Sequence, residues 1–356
     1  MTLLYALLLT GVILSVGVSV VVPSATLVAG GFTLGCAVVG LFLVSRTQRV
    51  IATHALGAVI NIGAIGIVGD HLRAGGKLRF ADAVMLSRSY TTGAFWSPFW
   101  AAAAAATTLV PGSNSLVLLL LGLSTALVAV LLSLLDVTRL WGRELPQYTG
   151  YALSWALVRI PLALVALVLT AHQVFPETSV PRIVLLAGLG VTLVGLLLQN
   201  WRTALRRGAR HARHELPNLR GEVTLFASAG VLAVGLRMLF PLFPVQLPVD
   251  SFTVGVAWLS LLTMVLFSII GVHPIVSVAV VAAVVLPLNP DPTLFVLAAC
   301  IGWGAATAVG PLSGLTMFLN SRYGIDSLAL TRRNLVFLGI VLAAAWPALL
   351  LCEALA

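Results

Sequence analysis

Two dipeptides carry most of the chemistry open to this chain: Ser97-Pro98 in "FWSPFW" and His273-Pro274 in "GVHPIV", each inside an otherwise apolar run. Proline is well tolerated at the first position of a helix, where its missing N–H would be unpaired anyway, and the polar residue before it can act as N-cap. Both dipeptides therefore predict helix starts. A helix start turns free N–H groups and positive partial charge toward whatever lies ahead, which can hold an anion without a fixed cation. The match goes further. Pro98 is followed by Pro111 and Pro274 by Pro287, thirteen residues on in each case, and the second prolines open polar turns, "GSNS" and "LNPDPT". Helices confined to these intervals are about 20 Å long, short of a bilayer core of about 30 Å. The starts are thus expected within the membrane or at a re-entrant tip, facing one another across a site.

Other polar groups could complete such a site. Ser113 and Asn114 lie in the first turn. "CIGWGAATAVGPLSGLTMFL" holds Gly302, Gly304, Gly310, Pro311 and Gly314 in one apolar run. It reads either as an unwound segment lined by Thr307, Ser313 and Thr316, whose hydroxyls and freed carbonyls suit Na⁺ or a polar substrate, or as close helix packing through small residues. Arg159, deep in an apolar run, is either an anion clamp, alternatively a partner for Asp136, or a side chain that snorkels to the interface. His54 and Asn61 share one helical face, as a packed pair or a site. His273 is the titratable group best suited to a proton relay. Cys36, Cys300 and Cys352 have no CxxC spacing and read as buried small residues. The sequence has no metal-ligand cluster, HExxH or P-loop, so the expectation is a non-enzyme with no cofactor beyond Na⁺ or H⁺ as coupling ion.

The elements that must position these residues are helical spans. Sixty per cent of the 356 residues are hydrophobic and 9% charged, too little charge to cover a soluble protein of this size. Windows such as Leu3–Val22, Ala25–Val44, Leu116–Leu135, Ile183–Leu198 and Leu335–Leu351 approach the length of a spanning helix. The first is read as a retained span, since it lacks a basic leader region. The expected fold is all-α: a polytopic transmembrane bundle of about ten spans, with two pseudo-repeats containing broken or re-entrant helices.

The net charge of +9 is concentrated between spans, most densely over Asn200–Glu222. That pattern marks a cytoplasmic loop (201–222) facing anionic lipid, not a nucleic-acid surface, for which stacking aromatics are missing. Residues 45–95 resist simple alternation, because Arg46 and Arg49 sit one span from Arg73, Lys77, Arg79 and Arg88. Asp70–Gly93 reads equally as an interfacial amphipathic helix or a charged loop.

At these residues the chain loosely resembles the ion-transporter superfamily of dicarboxylate/sodium symporters, arsenite permeases and the large subunits of TRAP-type carriers. The resemblance rests on Ser97-Pro98 with Ser113-Asn114-Ser115, and on Gly271–Pro274 with Gly310–Thr316. It implies paired re-entrant hairpins and broken helices, with hairpin-tip Ser, Asn and Thr groups holding Na⁺ and a carboxylate. The second half has no Ser-Asn-Thr triplet to match the first.

The expected organisation is one membrane domain (1–356). Pseudo-repeat one covers about 50–136 and a connecting region 137–222. Pseudo-repeat two covers about 223–320 and a last span 335–353. The expected function is secondary transport of a small anion across a bacterial-type inner membrane, with the bilayer and the substrate as partners and a homodimer as one assembly open to it. Two alternatives stand beside it. One is a membrane enzyme on lipid-linked substrates using His273 with Asp70 and His71; the other is an assembly subunit docking through Asp70–Arg88.

Overall fold

The computed structural model describes residues 47–141 (except 61, 74 and 75), parts of 163–239, and 248–355. These residues form helices, with no strand among them. Three segments are long and apolar enough to cross a membrane: Ser115–Val137, Pro292–Tyr323 and Ser327–Leu355. The windows Leu3–Val22 and Ala25–Val44 lie outside the described residues.

The first half begins with α1 (Thr47–Ile60) and α2 (Gly63–Leu72), followed by α3 (Phe80–Thr91), which runs into a 3₁₀ turn (Thr92–Phe95). After a break at 96–100 come α4 (Ala101–Leu109), a Pro-Gly turn, and the long α5 (Ser115–Trp141). Two further helices, α6 (Val180–Leu197) and α7 (Arg220–Leu239), lead to the second half. There α8 (Val254–Ile269), a break at 270–273, α9 (Pro274–Val285) with a 3₁₀ turn (Leu286–Leu288), and α10 (Pro292–Val309) repeat the order seen from α3 to α5. A third break at 310–313 precedes α11 (Gly314–Tyr323), and α12 (Ser327–Leu355) closes the bundle.

Helix α10 is the axis. Every residue from Thr293 to Val309 is buried, as expected of a helix apolar all round, and it packs against α3, α4, α5, α8, α9 and α12. Its glycines are notches. A Cβ on Gly304 would strike the Thr91 carbonyl and the Phe95 ring, and one on Gly302 would approach Met264 Sδ at 3.1 Å. Close packing is therefore the role of Gly302 and Gly304, and the unwinding expected from this run is confined to 310–313.

Directions follow from the contacts. Asn114 N–H donates to Thr293 Oγ1 (3.0 Å), so α5 and α10 start side by side. At their other ends, Asp136 of α5 and Ala308 O of α10 are joined through Arg88 and Asn334, so the two helices run in parallel. The start of the pair is acidic or uncharged, with Asp250, Asp291 and Glu353. The far end gathers Arg73, Lys77, Arg79, Arg88, Arg322 and Arg333. Both α4 and α9 run toward the acidic end, into the turns that touch each other. Their N-termini therefore point the same way, and the expectation that they face one another is corrected.

Two other expectations change. Helix α3 is neither interfacial nor a loop, because Asp82 through Thr91 are all buried. Its polar groups are matched internally: Asp82 by Arg79, Ser87 by Asn334, and Thr91 and Thr92 by carbonyls one turn back. Over the described part of 45–95, the expected alternation of spans gives way to two short helices, α1 and α2, only about 21 and 15 Å long. Helix α1 follows α3, with His54 at Ser89 and Ala58 at Ser97. Helix α2 turns back to place Asp70 on Arg322. Residues 47 and 72 thus share the basic end.

Candidate functional site

Among the described residues, the three breaks and an ion cluster at the basic end bring polar groups into the apolar bundle. Break one is built on α1. The last-turn carbonyls of a helix have no partner within it, and here Gly57 O accepts from the Trp100 indole (2.9 Å) while Ala58 O accepts from Ser97 Oγ. Ser97 also caps the next turn, accepting from Phe99 N–H (3.2 Å). The helix itself starts later than Ser97-Pro98 predicts: Trp100 is the N-cap of α4 and Pro98 lies in the turn before it. Trp96 Nε1 donates to His54 Nε2 (2.9 Å). An accepting Nε2 leaves the proton on Nδ1, which then donates to Ser89 O (3.1 Å).

Beside this break is a cavity of about 50 Å³. Trp96, Ala103 and Thr107 line it from break one and α4, Ser115 from α5, Cys300 from α10, and His172 from the 163–174 segment. His172 Nδ1 is buried without a hydrogen-bond partner. Ala103 is in the first turn of α4, so the positive end of that helix dipole borders the cavity.

Break two starts a helix where the sequence predicts. His273 is the N-cap of α9, its Nδ1 accepting from Ile275 N–H (3.2 Å), with Pro274 at the first helical position. The imidazole meets Trp303 of α10 edge-on, 6.0 Å between centroids. Break three brings together Thr307, Ser313 and Thr316. Ser313 Oγ donates to Thr307 O (2.8 Å), lies 2.9 Å from Thr316 Oγ1, and caps α11 by accepting from Thr316 N–H. Three carbonyls at the end of α10 accept from side chains: Thr307 O from Ser313, Ala308 O from Asn334, and Ala306 O, which also takes Gly310 N–H, from Ser268. In this conformation they serve helix termination rather than an ion.

Asn114 sits apart from these groups, at the acidic end, with Ser113 beside it in the turn. Its side-chain oxygen caps α5 by accepting from Leu116 and Val117 N–H (3.0 and 3.3 Å). Arg159 and Asn61 lie outside the described residues. Asp70 and His273, which the enzyme reading needs together, have separate partners: Asp70 binds Arg322 and Tyr323. Among the described residues no group of three or more His, Cys, Asp or Glu could hold a metal ion.

The sequence reading missed the cluster at the basic end. Arg88, 1% exposed, donates from Nε to Asn334 Oδ1 (3.0 Å), from Nη1 to Asp136 Oδ2 (2.8 Å) and from Nη2 to Arg333 O (3.0 Å). Arg333 pairs with the other Asp136 oxygen. The signal is an arginine one turn before "TTG", within the stretch that reads equally as an interfacial helix or a charged loop, and an asparagine at the mouth of the last helix.

No family model, curated protein or solved structure matches the chain.

Proposed function

We propose that the chain is a multi-pass protein of about ten spans, held in a bacterial-type inner membrane with its basic end and the 201–222 loop in the cytoplasm. We further propose that it is a secondary transporter of a small anion driven by H⁺ or Na⁺. The observation that carries this reading is an element order: helix, break, short helix, proline turn and long helix occur twice, and the second long helix, the buried α10, packs against all three helices of the first set. Broken helices in corresponding positions of two halves are a hallmark of substrate sites in transporters. The distribution of Lys and Arg supports the orientation. The short α1–α2 pair, read as a re-entrant hairpin, and the breaks are the features that fit kinship with the ion-transporter superfamily.

The substrate site of this proposal moves from opposed helix starts to the cavity at break one, bordered by the first turn of α4 and by His172. Filling that cavity tests it. Ala103→Leu adds bulk there without touching a cap or an ion pair, so the purified variant should remain monodisperse and lose gradient-driven uptake in proteoliposomes. Wild-type uptake by Ala103→Leu overturns the site. Failure of every small anion to move under either gradient overturns transport.

A further inference from the structure

Among the described residues, four buried side-chain polar atoms have no hydrogen-bond partner: Ser133 Oγ, His172 Nδ1, Thr331 Oγ1 and Arg333 Nε. Three of them fall within one helical turn of the Asp136–Arg333 pair. Ser133 precedes Asp136 by three residues, placing both on one face of α5, whereas Thr331, two residues before Arg333, shares the face of Asn334 on α12. Ser133 is 5% exposed and Thr331 8%, so neither is left to water at the surface. Buried polar groups are normally satisfied, and a local concentration of exceptions calls for a missing partner.

The charge count identifies that partner. Asp136 divides its two oxygens between Arg88 and Arg333. Arg88 has every guanidinium nitrogen engaged and is compensated by that carboxylate. Arg333 shares the same single negative charge, so the cluster carries one net positive charge. Arg333 is also the accessible member, 24% exposed against 1% for Arg88. An unpartnered guanidinium N–H, one uncompensated positive charge and the Ser133 hydroxyl one turn from Asp136 make a donor set for an oxyanion, which arginine binds through paired N–H groups.

We propose that Arg333, with Ser133, forms a binding site for a small oxyanion at the basic end of the bundle, between α5 and α12. The ligand is a carboxylate, phosphate or sulfate group, free in solution or carried by a lipid headgroup. This site is separate from the cavity at break one, and its occupancy can be measured without transport.

The test uses the purified full chain in detergent, with inorganic phosphate, sulfate or acetate exchanged for chloride at constant ionic strength. The readout is the unfolding midpoint with tryptophan fluorescence. The wild type should show a saturable rise with at least one of the three. Arg333→Gln should weaken the apparent affinity about tenfold, the scale of one charge-assisted contact, and Ser133→Ala should weaken it less. Asp136→Asn is the sharper variant, because it removes the competing carboxylate from both arginines. It should unfold at lower temperature in chloride yet bind the oxyanion more tightly than the wild type. Nanodiscs separate the two sources. A free anion gives the same shift in neutral lipid and in lipid doped with phosphatidylglycerol, whereas a headgroup occupant abolishes the phosphate shift in the doped discs. Absence of a saturable shift in both wild type and Asp136→Asn, or an equal shift in Arg333→Gln, overturns the site and leaves the cluster as a clamp between helices. Binding here without uptake in proteoliposomes would keep the site and remove the transport reading.

Discussion

At residues 96–100 the chain leaves α3 and continues in the same direction into α4, whereas at 270–273 it leaves α8 and doubles back into α9. Both breaks contain a polar residue followed by proline, Ser97-Pro98 and His273-Pro274, so that signature says nothing about how the chain arrives. The arrival is set by glycine, used in two ways. At break two the glycine belongs to the break: Gly271 has φ +97°, Gly271 N–H donates to Ser268 O (3.0 Å) and Val272 N–H to Phe267 O (2.9 Å). This is a Schellman closure, in which a left-handed residue reverses the chain. At break one no residue from 92 to 100 has positive φ, and the glycines belong to the neighbours. Gly122 of α5 lies against the Phe95 carbonyl and Gly304 of α10 against Thr91 and Phe95. One break is turned from within; the other is seated by space made around it.

The largest effect should therefore come from a residue outside break one. Gly122→Ala places a methyl where the Phe95 carbonyl oxygen now sits, and on a rigid helix neither group can yield without moving backbone. Overpacking of this kind costs about 1–3 kcal/mol, and the cavity beside break one should distort with it. The measurement is the unfolding midpoint in detergent, with uptake beside it. Tolerance of Gly122→Ala would mean that break one is held by its own backbone, erasing the contrast.

Gly271→Ala comes next, at about 1–2 kcal/mol for a side chain held at positive φ. Its Cβ would also approach Leu312 Cδ1 at 3.1 Å. Stability should fall while the break-one cavity keeps its shape, so uptake per folded molecule should change less than in Gly122→Ala. The reverse order of the two variants would show that break two, not break one, holds the substrate.

His273 separates capping from chemistry. His273→Ala removes the cap on Ile275, a loss of about 1 kcal/mol, whereas asparagine is a good N-cap and should restore it. If the imidazole only caps α9, His273→Asn matches the wild type in midpoint and in uptake. If it also relays protons, the midpoint recovers and the uptake does not.

How much of this was legible follows from how far each determinant reaches along the chain. The start of α9 at Pro274, the Asn114 turn and the long spans were legible because cap, proline and apolar window are local. The three-residue delay of α4 was not, because Ser97 is claimed by Ala58 of α1 as well as by its own turn. Burial of α3 was hidden for the same reason at greater range: "DAVMLSRS" looks like surface until Arg88 is placed on Asn334, 246 residues away. A charged run is solvated unless partners come from elsewhere in the fold, and a sequence read alone does not display them.

The smallest effect should come from the basic end, where α2 meets α11. The Asp70 carboxyl is held below the usual carboxylate range, chiefly by its hydrogen bond from Arg322, which outweighs desolvation, with Tyr323 and Arg73 adding less. Lowering in the folded state means that ionised Asp70 stabilises the fold above the ordinary carboxylate pKa. That contribution is lost as pH falls through the lowered value. The pair is exposed, so screening keeps its contribution small. Asp70→Asn should therefore lower the midpoint slightly at neutral pH, and the difference from wild type should shrink as pH drops below about 4 and as salt rises. The variant should leave uptake unchanged, because Asp70 fixes only the outer end of the α1–α2 hairpin. A large loss would mean that the hairpin, whose inner end supports Ser97 and Trp100, moves as a unit with break one. In that case the space around break one is made by a mobile hairpin rather than by the glycines of α5 and α10.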